Sequence, residues 1–316
     1  MPHDIVVGVD GSPASLAAAH WAAREAQRRG AGLGLVHAWH RHPRPAASVP
    51  LDHTEHGWAE EILQEAVRSI RAAHPALHVT ERLVCDSAVS ALVAAAADSD
   101  MLVLGSLGLG PLSGFMTGSV SRRVVARCTR PVVLVRAGRG ATEDHLPAVD
   151  GVAPDEIAAT PYREVVLGLD TDRPCDEAIA FAFEAARCRG TGLRVVHAFR
   201  VPVRPASDAS LVTAPPASPG PVPAPRAPVT AQARADAERA VTAALRAWRE
   251  RYPSVPVTES VTEERAAVAV VRAAHGAGLL VVGRRATGHR IGAHTGTVTH
   301  VALHHADCPV AVVPHD

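Results

Sequence analysis

Hydrophobic positions along the chain alternate between a strand-like and a helix-like period. Ile5 to Val9 is a short apolar run that predicts a strand and ends in Asp-Gly-Ser-Pro, where Ser12 suits a helix N-cap and Pro13 its first turn. The helix this opens is stopped by Gly30, and Leu33 to Trp39 predicts a second strand. Trp58, Ile62, Leu63, Ala66, Val67 and Ile70 then recur at helical spacing up to His74-Pro75. Val79 to Val84 predicts a third strand, Val89 to Ala97 a third helix and Met101 to Leu104 a fourth strand. A fourth helix starts near Ser119 and carries Val124 and Val125, and Val132 to Val135 makes a fifth strand. Strands that are apolar throughout are buried on both faces. The order βαβαβαβαβ therefore predicts an α/β fold: an open, mostly parallel five-stranded sheet of Rossmann-like type with helices on both sides.

The same pattern occurs twice. His3 to Trp39 aligns without gaps on Arg163 to Phe199 at a shift of 160, so Asp10 meets Asp170, Gly30 meets Gly190 and His37 meets His197. Further on the shift is 178, pairing Gly105 with Gly283, Gly118 with Gly296 and Pro131 with Pro309. The second copy thus holds 178 − 160 = 18 extra residues, which fall after its second strand. There the segment Val201 to Thr230 carries nine prolines and reads as a mobile or polyproline-like loop. Two tandem domains are expected, at 1–138 and 161–316, with the glycine-, proline- and acid-bearing stretch 139–160 as their linker.

Composition narrows the function classes. Thirty-two basic residues balance 32 acidic ones, so no global charge recruits nucleic acid or an anionic membrane. Every basic residue other than histidine is arginine, and without lysine a Walker-type phosphate loop is excluded. The five cysteines form no CxxC pair and read as small core residues in a reducing compartment. No stretch of about 18 apolar residues occurs, and Met1 to Gly11 runs into a strand with no leader-like segment; a cytoplasmic protein is expected. His300, His304 and His305 share a helical spacing but have no acidic or cysteine partner at ligand spacing, so no metal site is expected there. Trp21, Trp58 and Trp248 fall at apolar helix positions and are expected in the core, and His37 and His197 are expected to be packed and hydrogen-bonded.

In sheets of this kind ligands lie beyond the carboxyl ends of the strands, where the strand order reverses. After the fourth strand stand Gly105 and Gly108, then Gly118 and Ser119 opening a helix. Glycines let the main chain approach an anion closely, and amides at a helix N-terminus favour negative charge. The spacing G-x2-G-x9-G-[ST], with GVDGS after the first strand, resembles the ATP-binding signature of the universal stress protein (UspA) family in tandem form. That resemblance implies a nucleotide-binding domain of the adenine nucleotide alpha hydrolase-like type, taking ATP, ADP or AMP, with magnesium accompanying ATP. It also implies that Asp10 contacts the nucleoside, that the main chain of Ala38 meets adenine, and that Gly105, Gly108, Gly118, Ser119 and Val120 hold phosphates and ribose.

The second-copy equivalents are Asp170, Ala198, Gly283, Gly296, Thr297 and Val298, but Ala286 replaces the middle glycine. If that position needs positive φ, alanine costs about 1 kcal/mol. Arg284, Arg285, His289 and Arg290 crowd the same loop and offer compensating charge. The resemblance implies a regulatory role in stress; the alternatives are a structural or partner-binding module, above all in the second copy, and a slow ATP hydrolase. No catalytic constellation is expected, since HIGH-like and SGGxDS motifs and a carboxylate pair beside the glycine loop are missing. Strand five of each copy, Val132 to Val135 and Val310 to Val313, would need covering at a sheet edge. The resemblance implies pairing through it: a pseudo-twofold dimer within one chain, with a further homodimer allowed.

Overall fold

The computed structural model describes residues 4–40, 52–106, 118–138, 140–147, 160–201, 226–285 and 296–315. The first copy runs β1 (Ile5–Gly8), α1 (Pro13–Arg29), β2 (Leu33–Trp39), α2 (Asp52–Ala73), β3 (Val79–Cys85), α3 (Ala88–Ala97), β4 (Met101–Ser106), α4 (Ser119–Arg127) and β5 (Val132–Arg136). The second runs β6 (Val165–Gly168), α5 (Asp176–Arg189), β7 (Leu193–Phe199), α6 (Arg226–Arg251), β8 (Val257–Glu263), α7 (Ala266–Ala274), β9 (Leu279–Arg285), α8 (Thr297–His305) and β10 (Val310–His315).

The local signals act as read. Ser12 caps α1 by accepting from the Ser15 amide, and Gly30 ends it in the left-handed region at φ 64°. Alternation along the strands divides the core between two layers. Ile5, Val7, Met101 and Val103 pack under α1 and α2, while Val6, Leu102 and Leu104 pack under α3 and α4. The second copy repeats this with α5 and α6 on one face and α7 and α8 on the other.

The two halves share one sheet of ten strands in the order β3-β2-β1-β4-β5-β10-β9-β6-β7-β8. All neighbours are parallel except β5 and β10, which run antiparallel with Leu134, Val133 and Val132 opposite Val310, Ala311 and Val312. At a shift of 178, Val133 faces its own repeat equivalent, Ala311, so a pseudo-twofold axis passes through that pair.

Beside this seam α1 and α5 lie together on one face, joined by charge. The Glu25 carboxylate is wholly buried and takes Arg28 at 2.9 Å, Arg29 at 2.6 Å and Arg189 of α5 at 2.7 Å. Burial by itself would raise this carboxyl, but the charges of Arg189, Arg29 and Arg28 outweigh it and hold the group well below the usual carboxylate range. On the opposite face two arginines cross the seam reciprocally. Arg284 of β9 donates to the carbonyls of Ala126 (3.3 Å) and Cys128 (2.7 Å) at the end of α4, and Arg136 of β5 donates to His304 O (2.9 Å) near the end of α8. Each satisfies carbonyls that a helix end leaves without an intrahelical partner.

Several expectations change. Helix α6 begins at Arg226, inside the stretch read as a loop up to Thr230, and Pro228 stands at its third residue, where a missing N–H costs nothing; 202–225 lie outside the described residues. Within the linker, Thr142–Asp144 forms a 3-10 turn that Arg24 of α1 holds through Asp144 at 3.0 Å, and His145 bridges to Tyr162. Trp21 is buried and Trp248 partly so, but Trp58 is 61% exposed, because the buried stripe of α2 runs through Ala59, Leu63, Ala66, Val67 and Ile70 and leaves that position to its side. Cys128, Cys175 and Cys308 are buried, whereas Cys85, on edge strand β3, is exposed and Cys188 only partly covered.

Candidate functional site

Strand order reverses between β1 and β4 in the first copy and between β6 and β9 in the second, so a crevice opens beyond the carboxyl ends of each pair. In the first copy Asp10, Ala38, Gly105 and Val120 line one cavity of about 130 Å³. Asp10 is fixed by the turn that starts α1. Its Oδ1 accepts from the Ser12 amide at 3.0 Å, and its own amide donates to Ser15 Oγ at 3.2 Å. Desolvation opposes its ionisation, but hydrogen bonds with Ser12 and Ser15 and the nearby His37 together lower its pKa, leaving an exposed, ionised acceptor at the strand end. His37 is buried with Nδ1 2.7 Å from Val9 O, and His197 repeats the contact with Leu169 O at 3.0 Å. Both histidines serve the packing of the strand ends.

Gly118 and Ser119 open α4, and Gly296 and Thr297 open α8. Neither helix has a side-chain cap, unlike α1 and α3, which Ser12 and Ser87 cap. Gly118 has an ordinary φ of −55°, whereas Gly296 lies at φ 76°, where glycine is favoured. Gly108 and Ala286, with His289 and Arg290, lie outside the described residues.

Gly105 is glycine for a reason beyond the approach of an anion. A Cβ there would stand 2.5 Å from the carbonyl carbon of Ala14 and 2.6 Å from the amide of Ser15, so the first turn of α1 rests directly on it. Two further residues, missed in the sequence, tie the crevice together. Ser121 Oγ donates to Gly105 O at 3.4 Å, and its repeat equivalent Thr299 donates to Gly283 O at 3.3 Å. Their signal was a hydroxyl two residues beyond Ser119 and Thr297 in both copies.

The second crevice gathers all six of its candidates, Asp170, Ala198, Gly283, Gly296, Thr297 and Val298, around a cavity of about 530 Å³. Its greater size has a local cause. Helix α1 begins at Pro13, whose aligned partner is Arg173, yet α5 begins only at Asp176. Pro174 disfavours helical backbone at Arg173, and Cys175 becomes the cap, its sulfur accepting from the Ala178 amide at 3.2 Å. The turn that covers Gly105 therefore has no counterpart over Gly283, where a Cβ would meet nothing closer than the His315 ring at 3.3 Å. Burial pushes the Cys175 thiol up to about 12, so it stays protonated and un-nucleophilic. Arg284, expected to lend charge to the loop, directs its guanidinium to the end of α4 instead.

A sequence profile of the universal stress protein family matches residues 1–136 and 161–314. The chain belongs to the universal stress protein family. One universal stress protein of Mycobacterium tuberculosis is 32% identical over 317 residues, covering 98% of this chain and 96% of its own. A second from the same species is 30% identical over 320 residues, covering 98% and 95%. Among solved structures, a universal stress protein from Archaeoglobus fulgidus superposes with a TM-score of 0.65 at 16% identity over 99% of this chain and 98% of its own, a likeness of fold. No helix among the described residues is long and apolar enough to cross a membrane.

Proposed function

We propose that this universal stress protein is a regulatory binder of adenine nucleotides with one site at the switch point of each copy. The observation that carries the reading is convergence on one crevice. A strand-end carboxylate (Asp10 or Asp170), the residue near the end of the second strand (Ala38 or Ala198) and the first turn of a helix without a side-chain cap meet in each copy. They do so through Val120 and Ser121 in the first, where Gly118 and Ser119 stand outside the cavity lining, and through Gly296, Thr297 and Val298 in the second. The carboxylate suits ribose hydroxyls, the strand end suits a base, and amides at a helix start suit phosphate. ATP, ADP and AMP share these three features. Among the described residues no group of three ligating side chains gathers for a metal, so magnesium would enter with ATP, held mainly by phosphate oxygens.

Gly118→Glu tests the reading. A Cβ at Gly118 meets only Ser121 Oγ, at 4.0 Å, and a carboxylate at a helix start favours the helix by about 0.3–1 kcal/mol, so the variant should fold. The same charge repels phosphate. Denaturing the purified protein and separating the released small molecules should yield adenine nucleotide from the parent chain and about one equivalent less from the variant. If none is released and added ATP gives no binding heat, the crevices serve a structural or partner-binding module instead.

A further inference from the structure

The two crevices differ most at their inner end. In the first copy Ala14 and Ser15 close the space over Gly105; in the second, the later start of α5 leaves that space as part of the cavity, bounded by Gly283, Cys175 and His315. The charge of the lining differs as well. Among the described residues the ionisable groups of the first cavity are Asp10 and His37. The second keeps their equivalents, Asp170 and His197, and adds Arg173, Arg285 and His315, together with the Cys175 thiol and with Arg284, whose guanidinium is turned to the carbonyls of Ala126 and Cys128. Arg285 lies opposite His315 in the β9–β10 register, and Arg173 sits in the turn where α1 has its first residue. Neither arginine is paired with a described carboxylate. Asp176 and Glu177 occupy the first turn of α5, so the attraction for an anion comes from the arginines and not from that helix end.

We infer that the second crevice carries an additional anion subsite, formed by Arg173, Arg285 and His315 in the space that the missing helical turn leaves, and that it selects nucleoside di- and triphosphates over monophosphates. The inference rests on the adenine-nucleotide reading above and assigns the two copies different ligands. The first cavity is small, has no arginine among its described lining and holds the nucleotide without reading the length of its phosphate chain. In the second, each added phosphate meets guanidinium groups that form charge-assisted hydrogen bonds.

The test uses the full chain carrying Gly118→Glu, which silences the first crevice, titrated calorimetrically with AMP and with ATP after removal of bound nucleotide. ATP should bind at least about tenfold more tightly than AMP. Adding Arg173→Ala and Arg285→Ala should bring the two affinities within about threefold while moving that for AMP by less than about threefold. Both arginines are exposed, so a circular dichroism spectrum unchanged by the substitutions is expected. Equal binding of AMP and ATP in the Gly118→Glu chain, or an ATP preference that survives loss of both arginines, overturns the subsite and leaves the nucleotide reading intact. Binding of neither overturns both.

Discussion

Glu25→Gln should lower the stability of the chain by about 3 kcal/mol, seen as a lower denaturant midpoint at neutral pH. The change keeps the size of the side chain, so no cavity contributes, but it removes the one carboxylate that Arg28, Arg29 and Arg189 share. Arg189 is then left charged and buried, with Ala185 O at 3.0 Å, the Trp21 ring at 5.9 Å, a neutral amide in place of the carboxylate and the field of Asp144 as its compensation. Because Glu25 and Arg189 lie on α1 and α5, the loss falls on the seam between the halves. The pH dependence follows from the lowered pKa of Glu25. A carboxyl depressed in the folded state contributes fully above its unfolded value, about 4.3, and loses that contribution as pH falls towards its folded value. The gap between parent and variant should therefore be widest near neutrality and narrow progressively below about pH 4. A midpoint unchanged at pH 7 would show that the cluster is screened by water and does not secure the seam.

Gly105→Ala should be the most damaging single-methyl change at either site, costing about 3 kcal/mol, while Gly283→Ala at the equivalent position costs under about 1 kcal/mol. The added carbon at Gly105 runs into main-chain atoms at 2.5–2.6 Å, and a helix start cannot yield as a side chain can. At Gly283 the nearest atoms belong to the His315 ring at 3.3 Å, a side chain and not main chain. Thermal unfolding of the two variants against the parent measures the contrast directly. Equal effects would mean that the first turn of α1 does not rest on β4 as described.

Much of this was legible in the chain. Runs such as Met101 to Leu104 announce strands covered on both faces, and Ser12, Pro13 and Gly30 mark the limits of α1 by local chemistry that operates in any context. The crevice follows from the order of strands, since the point of reversal fixes which strand ends converge. What the alignment hid was a change of helix start. Pairing residue for residue at a shift of 160 places Arg173 where Pro13 opens a helix, and only the backbone preference imposed by Pro174 hints that α5 waits until Asp176. The seam was less visible still. Glu25 lies among alanines on a helix face next to Trp21, and nothing in sequence joins it to Arg189, 164 residues away. Arg284 was read as part of a phosphate loop because its neighbours in sequence are there, yet the pleat of β9 turns its head group across the seam.

The antiparallel pairing of β5 with β10 has a further consequence. When two separate copies associate through such strands, their union depends on concentration and a copy is free to join another of its own kind. Here a covalent connection keeps each half beside the other at an effective concentration of roughly millimolar or above, however dilute the protein. Each chain supplies one half of each kind, pairing of like with like is disfavoured by that effective concentration, and substitutions that suit one half need not be tolerated in the other. Asymmetry such as the altered start of α5 can then accumulate without disturbing the axis through Val133 and Ala311.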